Sequence, residues 1–393
     1  MPECVDVLII GAGPAGISTA LHLLQADPSW AGRMVVIDKA VHPREKLCGG
    51  GVTRAGEDIL TGLGLSFEPN HVPIREMQLL YNNWAYFVRG EPVFRVTRRA
   101  EFDHWLVRCG EQQGLRVRQG EAVQDIIPSE RCIKVVTGRG TYQAHAVVAA
   151  DGSSSLVRQR LNWNQNIRLA RLLEVLTPET GAQRAFDEGV AVFDFSEAKN
   201  GLQGYYWDFP SLIDGRPVMN RGVFDSRARP ERTRIPLKAS LANALAERTL
   251  NLSDYQLKGH PLHWFNQNGP FSRPRLLLAG DAAGVDPLLG EGISFALGYG
   301  QVAAAAIIAA FAHRDFSFSD YKQRILRHSL LSKLPARTAL ARFIYRLNSP
   351  WQMDMMWRMT THLIRVFSLY RPDAISVKTS NRSVKADFRR PAR

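Results

Sequence analysis

An apolar run, Val7-Leu8-Ile9-Ile10, leads straight into Gly11-Ala12-Gly13-Pro14-Ala15-Gly16, and this junction limits what the chain can fold into more than any other stretch. Residues 5–10 suit a buried parallel strand, and residues 15–26 carry Ala, Leu and Ile at helical spacing. Between them Gly11 allows a tight turn, Gly13 lets the backbone approach a pyrophosphate, and Gly16 lets the helix pack on the strand. Pro14 and Ala15 complete the fingerprint at a helix N-terminus, whose unpaired N–H groups and positive dipole end favour phosphates. A second apolar run, Met34-Val35-Val36-Ile37, ends in Asp38, 22 positions beyond Gly16 and close to where a carboxylate receives a ribose hydroxyl pair; Lys39 follows it. An ordinary Gly-rich turn is the bland alternative. Strand, helix, second strand and terminal acid together weigh against it.

Two further fragments share this character. One is Lys46-Leu47-Cys48-Gly49-Gly50-Gly51; the other is Gly280-Asp281-Ala282-Ala283-Gly284, followed by Pro287 and by Gly290-Glu291-Gly292-Ile293. A lone glycine fingerprint is weak evidence, but three in this order read as parts of one flavin site. The third fragment runs into Ile293 to Ala312, twenty residues without a charge and long enough to span a bilayer. Gln301, the Gly298-Tyr299-Gly300 segment and a run of alanines favour instead a buried helix whose N-terminus faces the cofactor.

A chain of 393 residues has room for two or three domains and a real core. Its 45% apolar and 22% charged content is that of a globular enzyme. The four cysteines, Cys4, Cys48, Cys109 and Cys132, have no CxxC spacing and follow no secretory leader. Neither a disulfide framework nor a metal site is therefore expected, and a reducing cytoplasm is the default location. The net charge of +13 lies largely in scattered arginines and in the end from Lys378 to Arg393, which reads as a disordered basic tail. No nucleic-acid recognition motif accompanies this charge, so nucleic acid is not an expected partner. A solvated basic surface, anionic lipid at a membrane periphery and an acidic electron-carrier protein all fit it.

Along the chain, Arg98-Arg99 introduces a helical stretch from Phe102 to Gln113, and residues 115–117, 122–123, 133–136 and 146–149 read as strands. The last ends in Asp151-Gly152, after which Ser153-Ser154-Ser155 can cap a helix. Residues 163–265 alternate as in an antiparallel sheet, notably Val190 to Phe195 and Gly204 to Phe209. The expected fold class is α/β. A Rossmann-type domain comes from residues 1–70, 99–162 and 268–316, with an inserted antiparallel substrate domain from 71–98 and 163–267. A helical C-terminal region, 317–375, precedes the tail, 376–393.

On these residues the chain resembles the geranylgeranyl reductase family, within the flavoproteins typified by para-hydroxybenzoate hydroxylase, over about residues 5–310. The wider group is carried by GAGPAG, by Arg99 in Arg99-Ala100-Glu101-Phe102-Asp103, by Asp151-Gly152, and by Gly280-Asp281 with Pro287. The narrower family is carried by Pro43-Arg44-Glu45-Lys46-Leu47-Cys48-Gly49-Gly50, similar to its PxxKxCGG loop, and by Tyr205-Tyr206-Trp207-Asp208-Phe209-Pro210, which fits YxWxFP. Two departures stand out. Asp38 replaces the more usual glutamate, and residues 211–220 lack the family's lysine and glycines, which touches the substrate more than the flavin.

The resemblance implies FAD as cofactor, with Arg99 near its ribityl and phosphate region, where a guanidinium grips oxygens. It places backbone groups of Val123 at the adenine edge and Asp281 on a ribityl hydroxyl. The amides of Gly292 and Ile293 would stabilise charge on the reduced ring. Cys48, with Gly49 and Gly50 in close approach, would sit beside the isoalloxazine, positioning substrate or joining a proton relay; a thiol alone is a poor acid for an isolated alkene. Tyr205, Trp207 and Phe209 share one strand face, and with Pro210 would line a prenyl tunnel. There, aromatic faces stabilise positive charge at a tertiary carbon by about 0.5–2 kcal/mol each. Ordinary core packing is the alternative for these rings.

The expected activity is FAD-dependent reduction of isoprenoid carbon–carbon double bonds by hydride from reduced flavin plus a proton, with Cys48, Tyr205 and Trp207 as catalytic residues. A flavin monooxygenase of a hydrophobic or aromatic substrate is the alternative. A prenyl-lipid carrier without cofactor is a third class, disfavoured by the intact glycines at 11, 13 and 16. No second glycine fingerprint follows a strand, so a separate nicotinamide domain is not expected. The electron donor stays open between NADPH and a ferredoxin or flavodoxin. The stretch from Leu334 to Tyr370 mixes arginines with aromatics, which suits either a bilayer interface or helices packed back on the domain with their arginines in water.

Overall fold

Strand Glu3–Ile10 lies parallel between Met34–Asp38 and Thr141–Ala149, and this trio is the centre of the first of two sheets in the computed structural model, which describes residues 1–82, 84–163, 167–347 and 350–358. Val7, Leu8, Ile9 and Val35 to Ile37 are fully buried, as parallel strands covered on both faces must be. Leu276–Leu278 extends the sheet beyond Thr141–Ala149, and Val117–Gln119 extends it beyond Met34–Asp38. The glycine turn joins the central strand to helix Pro14–Ala26. That helix packs on the long apolar helix Ile293–His313, where Ser18 Oγ donates to the Leu297 carbonyl at 2.8 Å. The uncharged twenty-residue stretch is thus a core helix by its burial. Ser155 caps Leu156–Arg160 by accepting the Arg158 N–H at 3.1 Å.

The second sheet runs Lys258–His263, Leu169–Pro178, Arg216–Asp225, Gly204–Ile213, Val190–Asp194, His71–Tyr81, Trp84–Thr97 and Gly51–Thr53. Two expectations need correction. The sheet is not wholly antiparallel, because Val190–Asp194 runs parallel to His71–Tyr81. The Gly189 carbonyl accepts the N–H groups of both Arg75 and Glu76 at a bulge, where this parallel pairing begins. Residues 51–53, counted with the nucleotide domain, pair instead with Phe94 to Val96. The Cys48 loop is therefore strung between the two sheets, and that is what places it.

C-terminal helices Tyr321–Arg327, Leu334–Ile344 and Pro350–Arg358 follow. Tyr345, Met353, Met356 and Trp357 bury against the core of the second sheet, while Phe343 and Trp351 are exposed. Arg337 does not reach into water as expected of these arginines. It is 4% exposed and donates to Asp286 at 2.6 Å, because a buried carboxylate in the neighbouring turn needs a partner. Arg342 and Arg346 are exposed as expected, and the stretch beyond residue 358, with the basic tail 376–393, falls outside the described residues.

Candidate functional site

A cavity of about 950 Å³ opens between the two sheets, and all three Gly-rich fragments line it. Its nucleotide-like end holds Gly11, Gly13, Pro14, Ala15, Asp38, Lys39, Arg99, Val123, Asp151, Gly152, Gly280, Asp281, Gly292 and Ile293, while Gly290 packs against Phe224 beside the aromatic wall. Cys48, Gly49 and Gly50 stand at the junction, and Tyr205, Trp207 and Phe209 form the far wall with Met77, Phe94, Leu172 and Phe193. Three expected residues are absent from the lining. Gly16 sits behind the turn, against the Gly11 carbonyl. Pro210 belongs to the other face of its strand, with Tyr206 and Asp208, as a period of two requires. Pro287 is turned aside because Asp286 accepts the Leu288 and Leu289 N–H groups at 2.9 and 3.0 Å, which presents Leu289 and Gly290 to the cavity instead.

Charge at the nucleotide-like end is organised around two buried carboxylates. Asp103 is fully buried and accepts Arg99 through Nε at 2.8 Å and Nη2 at 2.7 Å, with Arg44 Nη2 at 3.1 Å. The Nε edge of Arg99 is thereby committed, and its Nη1 end remains for a ligand. Asp281 accepts Lys46 Nζ at 3.1 Å and Ser153 Oγ at 3.2 Å. Burial opposes its ionisation, but Lys46 and then Arg99 outweigh burial and hold the carboxyl at about 2. His260, on the same wall, is pushed down to about 4 by burial and by Lys46, so it is neutral at pH 7.

These residues fit FAD. Asp151 Oδ1 and His260 Nε2 are buried with no partner among the described residues, and both residues face the cavity. Burial raises the Asp151 carboxyl, as expected of a group awaiting a donor. A Cβ at Gly13 would meet nothing nearer than Arg44 Nη2 at 3.6 Å, so the turn leaves an open cradle at the helix N-terminus. Asp38 lines the cavity, and the N–H groups of Ala12 at 2.7 Å and Ala40 at 2.8 Å fix its carboxylate there.

At the junction Cys48 Sγ accepts the Gly50 N–H at 3.4 Å. Gly50 has φ +80°, and a Cβ there would lie 2.1 Å from the Thr97 carbonyl, so the loop can turn here only with glycine. Both main-chain groups of Cys48 reach residues that sequence reasoning missed. Its N–H donates to Glu174 at 3.0 Å, and its carbonyl accepts from Asn220 Nδ2 at 3.0 Å. The available signal for Glu174 was its charge inside the apolar run Leu172 to Leu176. Arg44, Lys46, His260 and Glu291 were missed as well; all but His260 lay inside fragments already singled out.

Burial pushes the Glu174 carboxyl up to about 7, against the pull of Arg98, from an ordinary 4.5. A carboxyl raised in the fold contributes stability that is complete below the unfolded value and lost as pH rises through the folded one. The gap amounts to about 3 kcal/mol. Across this window the unfolding free energy of E174Q, measured in urea, is expected to rise relative to the native protein by about 2–3 kcal/mol. A flat difference would exclude a buried, titrating Glu174.

The comparisons with known proteins agree with this geometry. A family model described as FAD binding domain matches residues 4–311, more than half of the chain. A digeranylgeranylglycerophospholipid reductase of Methanosphaera stadtmanae is 26% identical, covering 80% of this chain and 79% of its own. A menaquinone reductase of Mycolicibacterium smegmatis is 28% identical over 76% and 75%. The crystal structure of a geranylgeranyl bacteriochlorophyll reductase-like protein from Thermoplasma acidophilum superposes with a TM-score of 0.76 at 20% identity, covering 99% and 96%. A single-site mutant of the halogenase PltM, solved with FAD, superposes with a TM-score of 0.70 at 14% identity over 91% and 79%. At such identities the structures speak for the fold. The resemblance to the geranylgeranyl reductases is matched by a relative and a structure so named. With the matched span running from the first strand through the Asp281 fragment and into the long core helix, the chain belongs to the FAD binding domain family and is an FAD-dependent oxidoreductase.

Proposed function

We propose that this enzyme reduces carbon–carbon double bonds of an isoprenoid chain lying in the aromatic half of the cavity. The observation that carries the reading is one continuous cavity in which the Cys48 loop stands between a polar end, lined by the Gly11 turn, Asp38 and Asp281, and a wall of Phe94, Phe193, Tyr205, Trp207 and Phe209. The relative named as a digeranylgeranylglycerophospholipid reductase supports it. FAD would be held by the Gly11–Ala15 turn, Asp38, Arg99, Asp151 and Asp281, and when reduced it supplies the hydride.

The chain's own residues do the rest. Tyr205 donates its hydroxyl to the Leu289 carbonyl at 2.5 Å and Trp207 donates its indole N–H to Asn220 Oδ1 at 2.8 Å, so both rings are fixed by their polar edges. Tyr205 packs among Phe193, Phe195 and Phe224, and the parts of both rings that line the cavity would stabilise positive charge on a tertiary carbon, by about 0.5–2 kcal/mol each. Two groups on the wall can hold the proton that completes the reduction: the Cys48 thiol, and Glu291, whose carboxyl burial raises to about 6. The surrounding apolar side chains exclude water from that carbon.

The test is anaerobic photoreduction of the FAD-loaded protein, followed by a geranylgeranylated lipid. Flavin reoxidation without oxygen, with product gaining two hydrogens per double bond, is the expected result. W207A is expected to slow it by roughly tenfold, as the loss of one aromatic face implies, with the flavin spectrum unchanged. Reoxidation only on admitting oxygen would overturn the reading in favour of a monooxygenase. The electron donor is assigned by offering NADPH or an acidic ferredoxin or flavodoxin in the same apparatus; the net charge of +13 favours the carrier.

A further inference from the structure

We propose that Glu174 and Asn220 are positioning residues that clamp both main-chain polar groups of Cys48 and so fix the place of its thiol on the cavity wall. The inference rests on reading Cys48 as a residue that faces the reacting substrate.

The clamp is built across the two Gly-rich and aromatic motifs. Trp207 Nε1 can only donate, so its bond to Asn220 fixes which end of that amide is oxygen. The amide nitrogen is then left to donate twice, to the Cys48 carbonyl at 3.0 Å and to Glu174 Oε2 at 3.3 Å. The same carboxylate oxygen accepts the Cys48 N–H at 3.0 Å. Glu174, Asn220 and Trp207 are 2%, 1% and 4% exposed, so water does not compete for these groups. The loop thus has no freedom at Cys48 to slide or rotate without leaving a buried donor or acceptor unpaired, whereas Gly49 and Gly50 beyond it offer no side chain to anchor.

The clamp is also sensitive to protonation. The charged groups around Glu174 are Arg98, whose Nη1 is 3.8 Å from Oε1, and Lys258, its register partner on the next strand. Glu45 bridges those two cations at 2.7 and 3.3 Å, and the partner on the opposite strand is the uncharged Gly222. A charged acceptor holds its donors more tightly than a neutral one. As pH falls and burial lets Glu174 take up a proton, the hold on Cys48 loosens.

Alkylation of Cys48 by iodoacetamide in the FAD-loaded protein, followed by peptide mass spectrometry, reads the clamp without any turnover. E174Q keeps the shape and an acceptor but never carries the charge. Each rate is expressed per thiolate, with the thiolate fraction of each protein taken from its difference absorbance, before the native value is divided by that of E174Q, so that loss of a neighbouring charge does not enter as a change in thiol ionisation. This ratio is expected to start near one at mildly acidic pH and fall to about one-fifth in mild alkali, the factor separating a charged from a neutral hydrogen bond. N220A, which withdraws two donors, is expected to alkylate roughly fivefold faster than native at neutral pH. A ratio that stays flat with pH, or native-like alkylation in a folded N220A, overturns the proposal. Should N220A not fold, the isosteric E174Q comparison still decides it. Failure to reduce an isoprenoid would count against the proposed activity and leave this readout unaffected.

Discussion

Replacing Gly16 with alanine is expected to give a protein that no longer retains FAD. A Cβ at this position would lie 1.8 Å from the Gly11 carbonyl oxygen, 3.1 Å from its carbon and 3.2 Å from Ile9 Cγ2. Two of those three atoms are backbone, so no side-chain rotation relieves the clash. Gly11 cannot retreat, because at φ +109° its own Cα already backs onto the Ala150 carbonyl, 2.3 Å from where a Cβ would stand. Helix Pro14–Ala26 must therefore shift away from the strand, and the cradle of N–H groups moves with it. Overpacking costs about 1–3 kcal/mol in general, and the upper end applies where backbone meets backbone. Spent on the geometry of the phosphate cradle, about 3 kcal/mol is roughly a hundredfold in affinity. Flavin absorbance after gel filtration and a fluorescence titration of the apoprotein measure it. Gly32→Ala, where a Cβ meets nothing within 4 Å, is the matched control and should bind FAD normally. Native affinity in G16A would remove the steric basis for reading the glycine turn.

That turn was legible because its demands are local. A tight turn, a close helix and a terminal acid each call for particular residue types at fixed spacing, and Gly11, Gly16 and Asp38 meet them within one short segment. The same holds for Tyr205, Trp207 and Phe209, where a period of two puts three rings on one face. That rule also excludes Pro210 from the face; only its membership of a six-residue motif had drawn it in. The buried helix Ile293–His313 was legible from its small residues, since Ser18 and Gly300 can meet only where neither helix carries bulk.

What stayed hidden depends on contacts between distant segments. Glu174, Asn220 and Cys48 come from three separate parts of the chain, and nothing near any of them in sequence announces the others. The parallel placement of Val190–Asp194 rests on its pairing with Glu76 to Leu80, more than 100 residues earlier, and begins where the Gly189 carbonyl meets a bulge. Arg337 illustrates the same limit for charge. On a helix of arginines and aromatics it reads as a surface residue, yet it is the partner Asp286 requires inside the fold. Patterns of polarity report which face is buried; they do not report which buried carboxylate lies opposite.

Asp103 is where such a partnership should matter most for stability. D103N is expected to destabilise the apoprotein by about 3–5 kcal/mol, the cost of leaving a buried guanidinium without its counter-charge. Asp103 is fully buried, Arg99 is 6% exposed, and the two are joined by a two-point contact one helical turn apart. Burial opposes ionisation of Asp103, but Arg99 first and then Arg44 outweigh it and hold the carboxyl below its ordinary value. A depressed carboxyl contributes stability that is present above the unfolded value and lost as pH falls through the folded one, so D103N should also flatten the acid limb of the stability curve. The double variant R99M/D103L separates architecture from ligand binding. An apolar pair of similar volume replaces a buried ion pair at little cost, and Arg44, already partly exposed, can turn to water. Urea unfolding should therefore recover most of the loss, while FAD affinity stays low because the Arg99 guanidinium on the cavity wall is gone. If D103N loses less than about 1 kcal/mol, the pair is no more than a surface salt bridge. If R99M/D103L regains full FAD affinity, Arg99 supports the helix alone and has no part in holding the cofactor.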